Sequence, residues 1–517
     1  MGVKIIYICK MYVRKLKSKQ GKIYVQVIDK SLGKYKILKN IGSSFNEKEV
    51  EKLVLEGKQW INNFTKQQEL NFDNDKNKYS IESFFSSIKQ MKRVGLELLL
   101  GKIFDDIGFN TISSDIFKLL SIYRVVYPKS KLKTTEYLRR YHNIDWSEDK
   151  IYRYLDKLYK EQKELIQQIS YKHTLKILNG VMSVVFYDVT TLYFQIDNED
   201  DIRKRGFSKE GKHQNPQIVL GLLVSIDGYP LAFDIFEGNK FEGHTMLPVL
   251  DSFKKKYKLE KLVIVADSGL LSTQNIKELQ DKNYEFILGA RIKNEKQVIK
   301  DKILALELKN GKSEIIDKED NLRLIVSYSD KRAKKDSYNR ERGLKRIEKQ
   351  LKSGKLTKSN INNKGYNKYL KMEGDVKISI DMEKFNQDAK WDGLKGYITN
   401  STLSKDEIIE NYGQLWKIEK AFRISKHDLK IRPIYHRLQR RIEAHITINF
   451  VAYKIYKELE RQLKIKKANI SPQKAIEIAE GIFEIEVKLK DTNQIYKKTL
   501  IINEEQLYLA ELFQFGC

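Results

Sequence analysis

Along the chain the spacing of hydrophobic residues changes character several times. Residues 1 to about 45 alternate like short strands joined by basic turns, as in "KIYVQVIDKSLGKYKILKNIG". A lysine-rich helical pattern follows to about 70, and "NFDNDKNKYS" has the polar composition of a linker. From about 80 to 178 the period is helical: "GLELLLGKIFDDIG", "DIFKLLSIYRVVY" and "KIYRYLDKLYKEQKELIQQI" each carry an apolar stripe, with Ser147 placed to cap the last. The period then becomes that of strands. "GVMSVVFYDVTTLYF" reads as one, and "PQIVLGLLVSIDGYPLAFDIFEGN" as two around a turn at Asp227-Gly228. Helix and strand alternate through "HTMLPVLDSFKKKYK", "EKLVIVADSG", "TQNIKELQDKN" and "YEFILGA". Three meandering strands followed by alternating helix and strand predict a mixed α/β sheet.

From about 291 to 385 the chain turns strongly basic with few apolar residues, the composition of an insertion. Strand character returns at "WDGLKGYITN". A long helix is predicted from about Ser404, broken by "RPIYHR" at Pro433, and a second from about 436 to 463. The implied layout is a small β-rich domain at 1–75, a helical domain at 80–178, a catalytic domain at 179–460 and an appended unit at 461–517.

Charge narrows the class of partner. Of 517 residues, 97 are Lys or Arg against 69 Asp or Glu, a net +28, which favours a polyanion: nucleic acid or an anionic membrane. No apolar run reaches the length of a membrane span. The two cysteines, Cys9 and Cys517, support neither a disulfide framework nor a cysteine zinc site, and "IIYI" is too short for a signal segment, so a reducing, cytoplasmic setting is expected.

Asp188 interrupts the apolar strand "VVFYDVTTLYF", although a carboxylate removed from water without a partner is costly. Asp267 ends "LVIVADSG", at the carboxyl end of a strand, where open α/β sheets keep their chemistry. Alone it equally fits an acid capping the next turn. Two acids on neighbouring strands repel, and a divalent cation is the usual means of keeping both ionised. In "NYGQLWKIEKAFRISKHDLK", read as one continuous helix, Glu419 falls in the apolar arc between Leu415 and Phe422. Tyr412, Glu419 and Lys426 then form one stripe at intervals of about 10.5 Å, with Lys417, Lys420 and Arg423 around it. The same pattern also describes an amphipathic helix with surface ion pairs.

The order Asp188, Asp267, Glu419, with "YDVTTLYF", "VADSG", "WDGLKGYITN" and "YGQLWKIEKAFRISKHDLKIRPIYHR", resembles the DDE transposases of bacterial insertion sequences. The branch it most resembles is the "insertion sequence four" superfamily, marked by Tyr-x2-Arg-x3-Glu-x6-Lys. Here those positions hold Tyr412, Leu415, Glu419 and Lys426, so Leu415 replaces the arginine. The resemblance covers about 180 to 460. It implies a ribonuclease-H-like catalytic domain with an insertion before the glutamate helix, preceded by an N-terminal β segment and a helical domain. It also implies that Asp188, Asp267 and Glu419 hold two Mg²⁺ ions, with Mn²⁺ able to substitute. Tyr412 and Lys426 would position terminal phosphates, aided by Lys420 and by Arg423 in place of the missing arginine. The implied partners are double-stranded DNA, both inverted repeats and target, bound by a homodimer near the bacterial nucleoid. The alternatives are a nuclease of the same fold without strand transfer, and an inactive DNA-binding relative.

Other residues carry competing readings. His445 in "RIEAHITINF" is expected as a hydrogen-bonded core histidine, and His213, His244 and His436 are scattered. Packing is expected for Trp391 and Trp416 ahead of stacking on an extruded base. "DIRKRGFSKEGKHQNPQ" suits either a DNA backbone contact or a solvated loop, and 80–178 either reads DNA ends or serves as scaffold.

Overall fold

The computed structural model describes residues 11–30, 35–65, 84–208, 211–259, 261–270, 272–354, 356–362, 365–373, 377–488 and 493–515. The linker expected at 71–80 lies outside them. The chain divides into two compact units. The first comprises Met1–Leu99, Arg139–Asn143 and Asn469–Cys517, and the second Leu100–Leu138 and Ile144–Ala468.

In the first unit the early alternation becomes a three-stranded antiparallel sheet, Met11–Lys17, Ile23–Asp29 and Lys36–Ser44, followed by helix Glu47–Thr65. Ile88–Arg93, inside the stretch read as helical, is a strand. It pairs with Phe483–Lys488, which pairs in turn with Ile495–Leu500. Six residues of alternation give a weak signal, and the partner that stabilises them lies at the far end of the chain.

The second unit is built on an eight-stranded sheet. Its strands are β1 (Val184–Tyr193), β2 (Gln217–Ser225), β3 (Pro230–Glu237), β4 (Val263–Ala266), β5 (Glu285–Ala290), β6 (Ser313–Asp317), β7 (Arg323–Tyr328) and β8 (Leu394–Thr399). Their spatial order is β6-β7-β8-β5-β4-β1-β2-β3. β1, β2 and β3 meander antiparallel, and β4 and β5 run parallel to β1. The predicted turn joins β2 to β3, with Gly228 at φ 79°, a conformation that costs glycine least. Five strands in the order 3-2-1-4-5, the first three antiparallel and the last two parallel to β1, make the ribonuclease-H-like arrangement. β6 and β7 lie within the basic stretch 291–385 and extend this sheet through β8.

Helix Met246–Tyr257 joins β3 to β4 and seats Met246, Leu250 and Phe253 on one face of the sheet. Helix Lys163–Ile177 packs on β3, where Ser170 Oγ donates to Pro230 O at 2.6 Å. The expected cap is present: Ser147 Oγ accepts from Lys150 N ahead of helix Glu148–Lys157. The long helix Gln439–Ile465 is buried over most of its length and packs on Asp115–Val126, Glu148–Lys157 and Lys163–Ile177. Helices Asp115–Val126, Glu148–Lys157 and Lys163–Ile177 therefore share one compact unit with the sheet.

Helix Asp330–Lys352 carries most of the basic insertion. Its Ile347 joins Tyr369, Leu370 and Phe385 in a small separate core. Lys331, Lys334, Lys335, Arg342, Lys345 and Arg346 are exposed. Arg340 is different: its side chain is 11 % exposed, meets Asp392 Oδ2 at 2.5 Å and lies 4.8 Å from the Phe385 ring. Arg340→Ala is expected to cost about 3 kcal/mol, because it leaves a largely buried carboxylate unpaired. Neutralising the exposed cations should leave stability within about 0.5 kcal/mol. Urea unfolding of the two sets of variants tests the distinction, and equal losses would contradict it.

Candidate active site

In β1 alternate residues face opposite ways, and Val185, Tyr187 and Val189 join the core under helix Met246–Tyr257. Asp188 therefore faces the other side of the sheet. In β4, Ile264 and Ala266 belong to the same core, so Val263, Val265 and then Asp267 share the face of Asp188. The parallel register pairs Tyr187 with Ala266, which brings Asp188 and Asp267 to adjacent levels on strands about 4.8 Å apart. Both stand where β1–β4 pairing ends, at the carboxyl end of β4 and opposite Leu222 of β2. Each carboxylate is steadied by its neighbouring backbone: Asp188 Oδ1 accepts from Val189 N at 2.7 Å, and Asp267 Oδ1 from Ser268 N at 2.5 Å. Asp188 is half-buried and Asp267 exposed.

The third acid arrives on a broken helix. The expected helix from Ser404 starts as predicted, with Ser404 and Glu407 forming a reciprocal cap. It ends at Gly413, restarts as Trp416–Arg423 and passes into a π-turn over Ile424–Asp428. Tyr412, Glu419 and Lys426 thus occupy three consecutive segments, and the straight stripe of the continuous-helix reading does not form. Glu419 is exposed, at the edge of the buried face made by Ile418, Ala421 and Phe422, not at its centre. Helix Trp416–Arg423 packs against β1, which carries Asp188.

Tyr412 and Lys395 tie Asp267 to Glu419. The buried Tyr412 phenol lies beside Asp267; burial, then the charges of Asp267 and Glu419, holds this phenol well above its ordinary range. Gly289 of β5 makes room for it: a Cβ there would stand 2.4 Å from the Tyr412 oxygen. The Lys395 ammonium lies 4.4 Å from the Tyr412 ring centre. Burial and the Arg332 charge lower the Lys395 pKa, against the opposing pull of Asp267 and Glu419. Lys395 therefore belongs to the acid cluster, and Arg332 connects it to the insertion helix.

Among the described residues no three carboxylate, imidazole or thiolate groups converge closely enough to hold a metal ion. The donors available are oxygen only, and two of them are register neighbours. That chemistry fits a hard divalent cation such as Mg²⁺ or Mn²⁺, with Glu419 the ligand that has furthest to close.

The remaining candidates separate. Lys420 pairs with Glu460 at 2.6 Å and Lys417 donates to Ile226 O, so both are engaged beside the site. Arg423 is exposed and Lys426 half-buried. Leu415, only 7 % exposed, packs where the branch signature has arginine. His445 is buried with Nε2 2.9 Å from Ile431 O, as expected of a core histidine. Trp391 packs against the core of β7. Trp416, expected to pack, is 51 % exposed because it begins the restarted helix on its solvent side. After β1, Arg203 pairs with Asp200 at 2.6 Å, and Arg205 donates to Gln214 O at 2.9 Å and to Asp197 O at 2.6 Å.

A protein-family model described as "Transposase DDE domain" matches residues 179–455, more than half of the chain. The chain belongs to that family. The match runs from just before β1 into the long helix Gln439–Ile465, and so contains all three acids. Among solved structures, the chain is similar to the piggyBac transposase synaptic complex with hairpin DNA. That match has a TM-score of 0.38 and 8 % identity, over 77 % of this chain and 79 % of that one. The Mos1 transposase paired-end complex with left transposon end gives a TM-score of 0.16 and 10 % identity, over 45 % of this chain and 66 % of that one. No curated protein sequence matches. Among the described residues of this DDE transposase, no helix is long and apolar enough to cross a membrane.

Leu415→Ala is expected to destabilise the second unit by about 2–4 kcal/mol through lost packing. The check is a shifted urea midpoint with unchanged slope; a variant as stable as the parent would show that Leu415 has no packing role.

Proposed function

We propose that this DDE transposase cuts the ends of its own insertion sequence and joins them to target DNA, with Asp188, Asp267 and Glu419 as its catalytic acids and Mg²⁺ as cofactor. The observation that carries the reading is the in-register placement of Asp188 and Asp267 on parallel strands, with the Glu419 helix packed on the first of them. Divalent cations held by these acids would supply Lewis-acid stabilisation at both the attacking and the leaving oxygen of a phosphodiester. The protein groups do the rest. Tyr412, beside Asp267, would donate to that carboxylate and hold its orientation. Lys395 and Arg332 bring positive charge to the edge of the cluster, where a phosphate gains negative charge during displacement. Water would attack first, and the freed 3′-hydroxyl then attacks the target strand. Two ends handled together imply a homodimer on paired inverted repeats, and membership of the insertion sequence four branch, in a bacterial cytoplasm, accords with the quoted motifs.

Asp188→Asn, Asp267→Asn and Glu419→Gln should each abolish Mg²⁺-dependent cleavage of end DNA while leaving binding intact, since each removes a ligand charge at constant shape. Normal cutting by any one of them would exclude that residue from the site. Joining of pre-cut 3′-hydroxyl ends to a target plasmid separates transposition from simple nuclease action.

Arg423 lies one turn beyond Glu419, and we assign it, with Lys426, the end phosphate that the absent arginine would have held. Arg423→Ala and Lys426→Ala are each expected to slow cleavage at least about tenfold, or 1.4 kcal/mol of transition-state stabilisation. If Arg423→Ala cuts as fast as the parent, the compensation is wrong.

A further inference from the structure

A cavity of about 590 Å³ lies in the second unit, away from the three acids. It is walled by the end of helix Asp115–Val126, the first turn of Lys131–His142, and the segment Lys430–His436 that follows the glutamate helix. Six of its lining residues are Lys or Arg and one is a carboxylate, Glu148, which already accepts from the Tyr152 hydroxyl. Two of the cations are not surface residues. Arg124 and Lys131 are each only 5 % exposed, and among the described residues neither side chain has an ion-pair or hydrogen-bond partner.

A buried charge without a counter-charge is among the most destabilising features a fold can hold. Elsewhere in this unit buried cations are satisfied: Lys163 by Glu443 at 2.9 Å, and Lys454 by Ser170 O at 3.0 Å. Arg124 and Lys131 instead lie close enough to repel each other. Burial and then the Arg124 charge push the Lys131 ammonium well below its ordinary range, so that an anion is needed to hold both charged. His436 and His445 beside them are held neutral by burial and by these same charges. The first residues of helix Lys131–His142 line the same space, and a helix N-terminus favours an anion. Cavity, missing counter-charge and helix end point to one kind of occupant. Arg432, on the cavity wall, reaches over the Tyr193 ring at 5.5 Å, and Tyr193 is about 16 Å along β1 from Asp188. The cavity wall thus touches the far end of the strand that carries Asp188.

Resting on the transposase reading above, we propose that this cavity is a built phosphate-binding site, in which Arg124 and Lys131 receive a backbone phosphate of the bound DNA several nucleotides from the one that is cut.

The test compares the full chain with the double variant Arg124→Met/Lys131→Met, and with Lys131→Arg as the charge-conserving control. Thermal melts with and without inorganic phosphate report on the anion site. The salt dependence of affinity for a short DNA duplex reports on its use. Phosphate should raise the Tm of the parent and of Lys131→Arg but not of the double variant, which should itself melt no lower than the parent, because methionine fills the space without a buried charge. Duplex affinity of the double variant should fall at least about tenfold, and the slope of log affinity on log salt should flatten by about one for each DNA phosphate that is no longer neutralised. Equal stabilisation of parent and double variant by phosphate would overturn the site. Phosphate protection of the parent alone, with duplex affinity and slope unchanged, would mean a free-anion site and would overturn the DNA assignment while leaving the transposase reading intact. A parent that binds no DNA under any salt condition would sink the transposase reading itself, and with it the DNA assignment.

Discussion

The register between two parallel strands governs the candidate chemistry. β1 and β4 pair so that Asp188 and Asp267 follow the matched residues Tyr187 and Ala266. A slip of one residue would turn one of the two acids into the core on the other face. The register is held from that core side. Val185, Tyr187, Ile264 and Ala266 pack under helix Met246–Tyr257, and the Tyr187 hydroxyl meets Thr245 Oγ1 at 2.9 Å just ahead of that helix. The packing that gives the sheet its stability is therefore also what aligns the carboxylates on the opposite face. Each acid accepts a bond from one neighbouring backbone N–H, and Asp267 also lies beside the Tyr412 phenol.

The parts of this arrangement visible in the sequence are those with local causes. The turn at Asp227-Gly228, the caps at Ser147 and Ser404, and the strands flanking Asp188 and Asp267 all follow from residues within a few positions of one another. Several strands were hidden, β6 and β7 within the basic insertion among them. Ile88–Arg93 depends on a partner near the carboxyl terminus, and β7 is a short apolar run beside a very basic segment. The break at Gly413 went unread because the apolar spacing on either side continues as if the helix did. That one break moves Glu419 from the middle of an apolar arc to its exposed edge, where a carboxylate belongs. Lys395 had a readable signal. It is a charged residue in "GLKGYIT", a strand that lies inside the sheet between β5 and β7, the same kind of anomaly that singled out Asp188.

Buried polar groups in the second unit fall into two kinds, and the difference bears on function. Along helix Gln439–Ile465, Glu443 meets Lys163, Lys454 meets Ser170 O, and Glu458 meets both Arg461 at 2.6 Å and the Tyr229 hydroxyl at 3.0 Å. The Glu443 and Lys454 contacts fasten this helix to Lys163–Ile177, and the Tyr229 hydroxyl on Glu458 ties it to the turn between β2 and β3. Lys395 is drawn to acids that have other work to do, while Arg124 and Lys131 have no acid at all. A chain with a surplus of 28 positive charges has no shortage of exposed lysine for loose attraction to a polyanion. Burying two cations without partners adds nothing to that attraction and works against folding. Their retention is explained when the missing negative charge arrives with the substrate, so that DNA binding completes an electrostatic balance the folded protein leaves open.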